Sequence, residues 1–515
     1  MATKKSATKP RSDSGSTAKV EHLDVVIIGA GLSGIGAAHH IKEHCPWASF
    51  AILEARGASG GTWDLFRYPG IRSDSDMFTL GYGFRPWDGE KAIADGDTIL
   101  DYLRDTAKED GTDKLIRYNH KIVRAEWSTD DARWLVTAER SDPKSGKVDE
   151  VTLSAGFVFS CSGYYRYDRG YLPEFEGTDR FEGTIIHPQF WPEDFDYSGK
   201  RIVVIGSGAT AVTLVPSLAD KAGHVTMLQR SPSYVVSIPG KNPIANALRW
   251  ALPTKVSGPT VRWMNALMTQ GIYELSRHQP ALMRKVLIGG VKAQVPRGYD
   301  VARHFTPHYA PWDERLCAVR DGDMFKAIRK GSASVVTDHI KTFTEKGIML
   351  ESGQELEADV IITATGLELL FMGGIEVLVD GEKVDASERL TYKGMMLEGV
   401  PNMALAIGYT NASWTLKADL TSEYVTRLLN HLHDNDLRQC TPVNVDGQVS
   451  TAPLLGLNSG YITRAAGRLP KQGTAFPWQV YQSYVRDYRA LKRSPIVDGA
   501  MSFTNPTPSA KEDAA

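Results

Sequence analysis

Cysteine is scarce in this chain, with only Cys45, Cys161, Cys317 and Cys440 among 515 residues. They stand far apart and form no C-x-x-C pair, which argues against a redox dithiol and a thiolate zinc site, and no metal is called for. Reduced thiols in a cytoplasmic protein are the default reading. No apolar run approaches the roughly 18 residues of a spanning helix, so no transmembrane segment is expected. An excess of one charge is lacking too. The 59 Lys and Arg against 61 Asp and Glu leave a formal net charge of -2, which gives no electrostatic reason to expect nucleic acid or an anionic membrane as a partner. The first residues carry positive charge but no apolar core, so they do not form a secretory signal. Their Lys, Ser, Thr and Gly content reads as a disordered tail over 1–20, and the chain end reads the same way over 501–515.

What is present is enough chain for more than one core. With 42% hydrophobic residues over 515 positions, two or three domains can each bury an apolar face. Two segments, 23–56 and 201–231, share one design: a β-branched run, a glycine-rich turn, apolar residues at helical spacing, then a second strand. Such βαβ units predict parallel sheets with helices on both faces. Between about 238 and 310, stretches such as VRWMNALMTQGIYEL show helical spacing and few strand signals. They read as a helical insertion of core helices, with an amphipathic, membrane-facing role as the alternative. After Arg315 the α/β pattern returns, and a helix is expected near Glu423 to Leu432. The expected fold is therefore α/β, with two interleaved Rossmann-like dinucleotide-binding domains and a helical insertion. The first domain comprises 21–165 and 365–500, the second 166–237 and 312–364, and the insertion 238–311.

Gly29, Gly31 and Gly34 form G-x-G-x-x-G directly after the strand DVVII. The first glycine allows the tight turn, the second lets backbone approach a pyrophosphate, and the third lets the helix pack closely. Glu54 follows at the distance where a carboxylate accepts hydrogen bonds from a ribose 2′-hydroxyl. The second fingerprint is Gly206, Gly208 and Ala211. There the later strand ends in Gln229-Arg230-Ser231 with no acid. Arg230 in that place can pair with a 2′-phosphate, which reads as NADPH over NADH. A nicotinamide donor beside a second dinucleotide suggests hydride passing to a flavin, so FAD and NADPH are the expected cofactors. The electrons could then go to a disulfide, a quinone or dioxygen, and the missing cysteine pair argues against the first.

Between the two nucleotide folds, Phe181, Gly183, His187, Trp191 and Pro192 stand in the pattern F-x-G-x-x-x-H-x-x-x-W-P. This resembles the fingerprint of Baeyer–Villiger monooxygenases; the related N- and S-oxidising flavin monooxygenases usually lack its tryptophan. His187 and Trp191 read as orienting the two domains rather than touching substrate. GGTW, which supplies Gly61, Thr62 and Trp63 beside the flavin, RYPGIRSD from Arg67 to Asp74, and the ATG at Ala364 to Gly366 are similar to the same family. The resemblance implies an enzyme that uses NADPH and dioxygen to insert one oxygen atom beside a ketone carbonyl through a flavin peroxide, yielding an ester or lactone, with sulfides also oxidised. Small-molecule ketones or sulfides and dioxygen are the implied partners. It further implies Arg315, in PWDERLC, as the catalytic group that stabilises negative charge during oxygen transfer. It also implies Asp74 as the acid that positions that arginine. A guanidinium suits the task, since it stays charged and presents a fork of donors. Two departures stand out: Glu314 replaces a lysine that contacts NADPH in the family, leaving more of the phosphate grip to Arg230, and Asp64-Leu65 replaces an aromatic pair. The alternatives are an N-hydroxylating or S-oxidising flavin monooxygenase and a non-catalytic flavoprotein redox sensor.

Overall fold

The computed structural model describes residues 20–506 except 446, 448 and 457. The run Glu21–Ile28 is buried almost throughout its second half, as an inner parallel strand must be. It lies between Phe50–Leu53 and Val148–Ser160, parallel to both. Val148–Ser160 serves two neighbours in succession. Its first part forms an antiparallel ladder with Arg133–Ser141, which pairs in turn with His120–Ser128. Its last residues also take Met403–Leu405 as a parallel partner. Nine strands result, with the parallel half carrying the first glycine turn.

The second sheet has five parallel strands in the order Ala333–Thr337, His224–Gln229, Arg201–Ile205, Val360–Thr363, Thr184–Ile186. Two linkers connect the sheets and run side by side. Leu370 N–H donates to the Tyr164 carbonyl at 2.9 Å, Arg166 N–H to Glu368 at 2.8 Å and Tyr171 N–H to Gly366 at 3.1 Å. Buried Gln189 adds two amide hydrogen bonds of 2.9 Å, to the carbonyls of Arg166 and Tyr167. The linkers are thus held as a paired strap, which keeps both glycine turns facing one space.

Residues 243–304 are helical: Pro243–Ala251, Thr254–His278, Pro280–Lys292 and a short turn at Val301–His304. Arg262 anchors this block. Its buried guanidinium donates to Asp419 Oδ2 at 2.8 Å and to the Thr79 carbonyl at 3.1 Å.

Two expectations need correction. The helix read near Glu423 to Leu432 begins nine residues earlier and spans Trp414–Asp434. Thr415, Lys417, Asp419, Thr421 and Ser422 are all buried in its first half, so polar residues occupy inward positions and hide the apolar period. The tail expected over 501–515 contains a strand, Met501–Thr504, paired antiparallel with Gln439–Pro442 and burying Met501. Composition does not reveal these four, whose backbone groups are satisfied by a partner sixty residues away; residues 507–515 lie outside the described residues. Of the leading tail, residues 1–19 lie outside the described residues.

Candidate active site

Both glycine turns open into one cavity of about 1700 Å³ between the sheets. They are built alike. Gly29 has φ +99° and Gly206 φ +140°. A Cβ on Gly29 would come within 2.7 Å of the Cys161 carbonyl oxygen, and one on Gly206 within 2.3 Å of that of Ala364. Each first glycine therefore abuts the end of the neighbouring strand, and any side chain would break the turn. Gly34 is needed by packing, since its Cβ would sit 1.8 Å from the Gly29 carbonyl oxygen. Ala211, at the corresponding place in the second turn, is fully buried with its methyl accommodated.

The middle glycines differ from these. Gly31 and Gly208 precede the helices Leu32–His44 and Ala209–Leu218, and neither helix has a side-chain cap. Their first amides are orphaned at the cavity wall, which suits an anionic diphosphate. A Cβ on Gly208 would meet nothing within 4 Å of the chain itself. Nothing in the protein demands glycine there, so the space its missing side chain leaves is room for a ligand. Gly208→Val is accordingly expected to fold and keep its flavin while the KM for NADPH rises about tenfold or more. Thermal melting and steady-state kinetics check this, and an unaltered KM would refute it.

Around the first turn, Glu54 lies just beyond Phe50–Leu53 and lines the cavity. Its Oε2 accepts from Ala30 N–H at 2.7 Å and its Oε1 from Arg56 N–H at 2.9 Å. Burial pushes its carboxyl upward, and these two amides only partly offset that. Gly61, Thr62 and Trp63 line the same side, with Gly61 pressed against Gly31. Below them Asp64, 6% exposed, takes ion pairs from three arginines: Arg56 at 2.7 Å, Arg67 at 2.8 Å and Arg104 at 2.7 Å. Sequence reasoning marked Asp64 only as a departure from family; its partners lie up to forty residues away and carry no motif.

At the second turn, Arg230 and Glu314 both line the cavity. Burial raises the Glu314 carboxyl above its ordinary range, while the Arg230 charge pulls it down. The two side chains therefore feel one another across the mouth of the second turn. Farther in, Arg315 Nη2 meets Asp74 Oδ2 at 2.6 Å, bringing together a pair separated by 241 residues. Both side chains remain about a third exposed, and both line the cavity. The Asp74 carboxylate holds the guanidinium far above its ordinary pKa, against the opposing effect of burial. Tyr461, Tyr164 and Tyr165 surround it. Tyr164 stacks on Trp414 at 4.9 Å, and Trp414 Nε1 donates to Ser33 Oγ at 2.8 Å, at the start of the first nucleotide helix. Tyr461 went unread as a site residue, because only the folded chain brings it to Arg315.

The fingerprint residues stand outside the cavity. Phe181 is buried edge-to-face on Phe343 at 6.5 Å, and a Cβ on Gly183 would strike the Asp359 carbonyl oxygen at 2.6 Å. His187 follows the edge strand Thr184–Ile186, accepts from Gln189 N–H at 3.2 Å, and is pulled below the ordinary imidazole range by burial. Trp191 is half-buried against Phe195 and Tyr197, and Pro192 is exposed. These residues brace the strand beside Val360–Thr363, whose continuation Ala364–Gly366 does reach the cavity.

Comparison with known proteins agrees with this arrangement. The family model "Flavin-binding monooxygenase-like" matches residues 91–288, and that of an NAD(P)-binding Rossmann-like domain matches 27–91. The FAD-containing monooxygenase EthA of Mycobacterium tuberculosis (strain ATCC 25618 / H37Rv) is 53% identical over 484 residues, 94% of this chain and 98% of that protein. EthA of Mycolicibacterium smegmatis is 51% identical over 485 residues, 94% of this chain and 97% of its own. Among solved structures, a steroid monooxygenase bound to NADP superposes with a TM-score of 0.75 at 21% identity, covering 94% of this chain and all of that one. An open form of cyclohexanone monooxygenase gives 0.72 at 20% identity over the same shares. Two dinucleotide turns facing one cavity, and relatives of this likeness over nearly the whole length, lead to one conclusion: the chain belongs to the FAD-containing monooxygenase family.

Proposed function

We propose that the chain is an NADPH- and dioxygen-dependent Baeyer–Villiger monooxygenase that converts ketones to esters or lactones and also accepts sulfides. The observation that carries this reading is the Arg315–Asp74 pair, at 2.6 Å, in the cavity that both glycine turns enter. Residues 21–165 with 365–500 are assigned to FAD, and 166–237 with 312–364 to NADPH. Gly29, Gly31, Glu54 and Gly61 to Trp63 would hold FAD, which when bound supplies the hydride acceptor and the oxygen chemistry. Gly206, Gly208 and Arg230 would hold NADPH, Arg230 at its 2′-phosphate.

The chain's own contribution is electrostatic. Arg315 supplies a permanent positive charge and a fork of donors to oxygen atoms that become negative during transfer. Asp74 fixes the direction of the guanidinium, and the tyrosines and Trp414 limit access of water to it. Glu314 beside Arg230 tempers the positive charge available to the phosphate.

A ladder of linear and cyclic ketones, supplied with NADPH and air, tests the reading. Products one oxygen atom heavier, identified as esters by mass spectrometry, are expected. Amine hydroxylation without ester would assign the chain to the N-oxidising relatives instead. Arg230→Ala is expected to narrow the preference for NADPH over NADH by about tenfold, the loss of one charge-assisted phosphate contact. An unchanged ratio of kcat/KM for the two donors would remove Arg230 from this role.

A further inference from the structure

Ten of the nineteen exposed large apolar side chains among the described residues fall between Ile244 and Val286, within the helical block. Trp250, at the end of Pro243–Ala251, is 90% exposed. On Thr254–His278, exposed Met268, Ile272 and Leu275 recur at four- and three-residue spacing, while Val261, Asn265 and Ala266 face inward. Pro280–Lys292 repeats the division, burying Met283, Leu287 and Val291 and turning Leu282 and Val286 outward. These helices have satisfied their inner faces and still present a second apolar face to the outside, well beyond the scattered single residues of an ordinary surface.

The same stretch is strongly basic in a chain of net charge -2. From Lys241 to Tyr299 there are nine Lys and Arg and one acid, Glu274. Lys241, Arg262 and Arg277 pair with Glu90, Asp419 and Asp313. Among the described residues, Lys255, Lys285, Lys292 and Arg297 have no carboxylate partner.

We propose that this block is a membrane-docking surface whose occupant is an anionic phospholipid bilayer, on which the helices lie at headgroup level. No helix among the described residues is long and apolar enough to cross a membrane. Aliphatic and tryptophan side chains beside lysines are what interfacial seating requires: the former enter the acyl boundary and the latter meet the lipid phosphates. A second copy is the poorer occupant, because a two-fold interface would set this basic surface against itself. Docking would also bring the bilayer near the site. Tyr273 meets Trp312 edge-on at 5.4 Å, and Arg277 pairs with Asp313 at 2.7 Å, so the outer stripe of the long helix ends beside the segment that carries Arg315. Delivery of an apolar carbonyl compound from the bilayer rests on the proposed function; the docking itself does not.

Flotation of the FAD-loaded full-length chain with vesicles tests the inference. With phosphatidylcholine vesicles containing about 30% phosphatidylglycerol at low salt, the enzyme is expected to float. Pure phosphatidylcholine vesicles, or about 0.5 M salt, should cut the bound fraction about tenfold. The double variants Leu282→Ser/Val286→Ser and Lys285→Glu/Lys292→Glu should each lose about tenfold in binding with unchanged NADPH oxidation and elution volume. No flotation on the anionic vesicles, or variants that float as well as the parent, would overturn the proposal. So would a dimer that the serine pair dissolves in a protein that binds no vesicles, which would give this face to a second copy.

Discussion

Arg315→Ala is expected to abolish ester formation while FAD stays bound and NADPH is still consumed, its electrons leaving as hydrogen peroxide. The cavity keeps both glycine turns, so the amides proposed to hold the two nucleotides are untouched. What disappears is the one cation that Asp74 holds in the cavity at 2.6 Å. Removing a single donor aimed at developing negative charge costs on the order of 10²- to 10³-fold in kcat. Here the loss would be larger, because the substitution also leaves the Asp74 carboxylate facing the reacting atoms. Arg315→Lys should recover part of the rate, having the charge but not the planar fork. Asp74→Asn should retain more than Arg315→Ala, since the guanidinium remains and only its orientation loosens. Ester yield per NADPH, measured beside peroxide release, separates these outcomes. Normal ester yield from Arg315→Ala would remove the assignment.

The second large effect is on stability. Arg262→Ala would leave Asp419, 12% exposed, in the interior without its guanidinium. Breaking a buried ion pair from one side costs about 3–5 kcal/mol. In a chain of several domains this should show as a first calorimetric transition lowered by roughly 5–15 °C. The double replacement Arg262→Met/Asp419→Leu should restore much of the loss, because two apolar groups carry no orphaned charge. Acid sensitivity adds a check. Burial raises the Asp419 carboxyl, and His40 and Arg262 outweigh it and bring it below its ordinary value. A carboxyl so depressed contributes stability that is fully present above its unfolded pKa, about 4. That contribution is lost as pH falls through the lower folded value. Stability of the parent should therefore fall more steeply below about pH 4 than that of the double variant. Equal acid limbs would mean that Asp419 contributes nothing on folding.

Glycine turns could be read directly from the chain because their constraint is local. A Cβ at Gly29 or Gly206 collides with the next strand's end, so the residue type itself reports the geometry. Arg230 was legible for a similar reason: it replaces an acid at a fixed distance from a known turn. The Asp64 cluster was not legible, since Arg56, Arg67 and Arg104 converge on it from unrelated places. Nor was the full extent of the helix Trp414–Asp434, whose inward face is as polar as it is apolar. Resemblance supplied Arg315 and Asp74 as partners, but not the tyrosines around them.

By itself, the order of residues determined the two βαβ turns and the helical character of 243–304. Each depends on hydrogen bonds and packing within some thirty residues, and such short-range constraints leave a periodic trace. Only tertiary structure decided that both turns face one cavity, that Arg315 reaches Asp74 across 241 residues, and that the helical block keeps an apolar, basic face uncovered. Those features arise where long-range packing settles which side chains meet, and no local period records that choice.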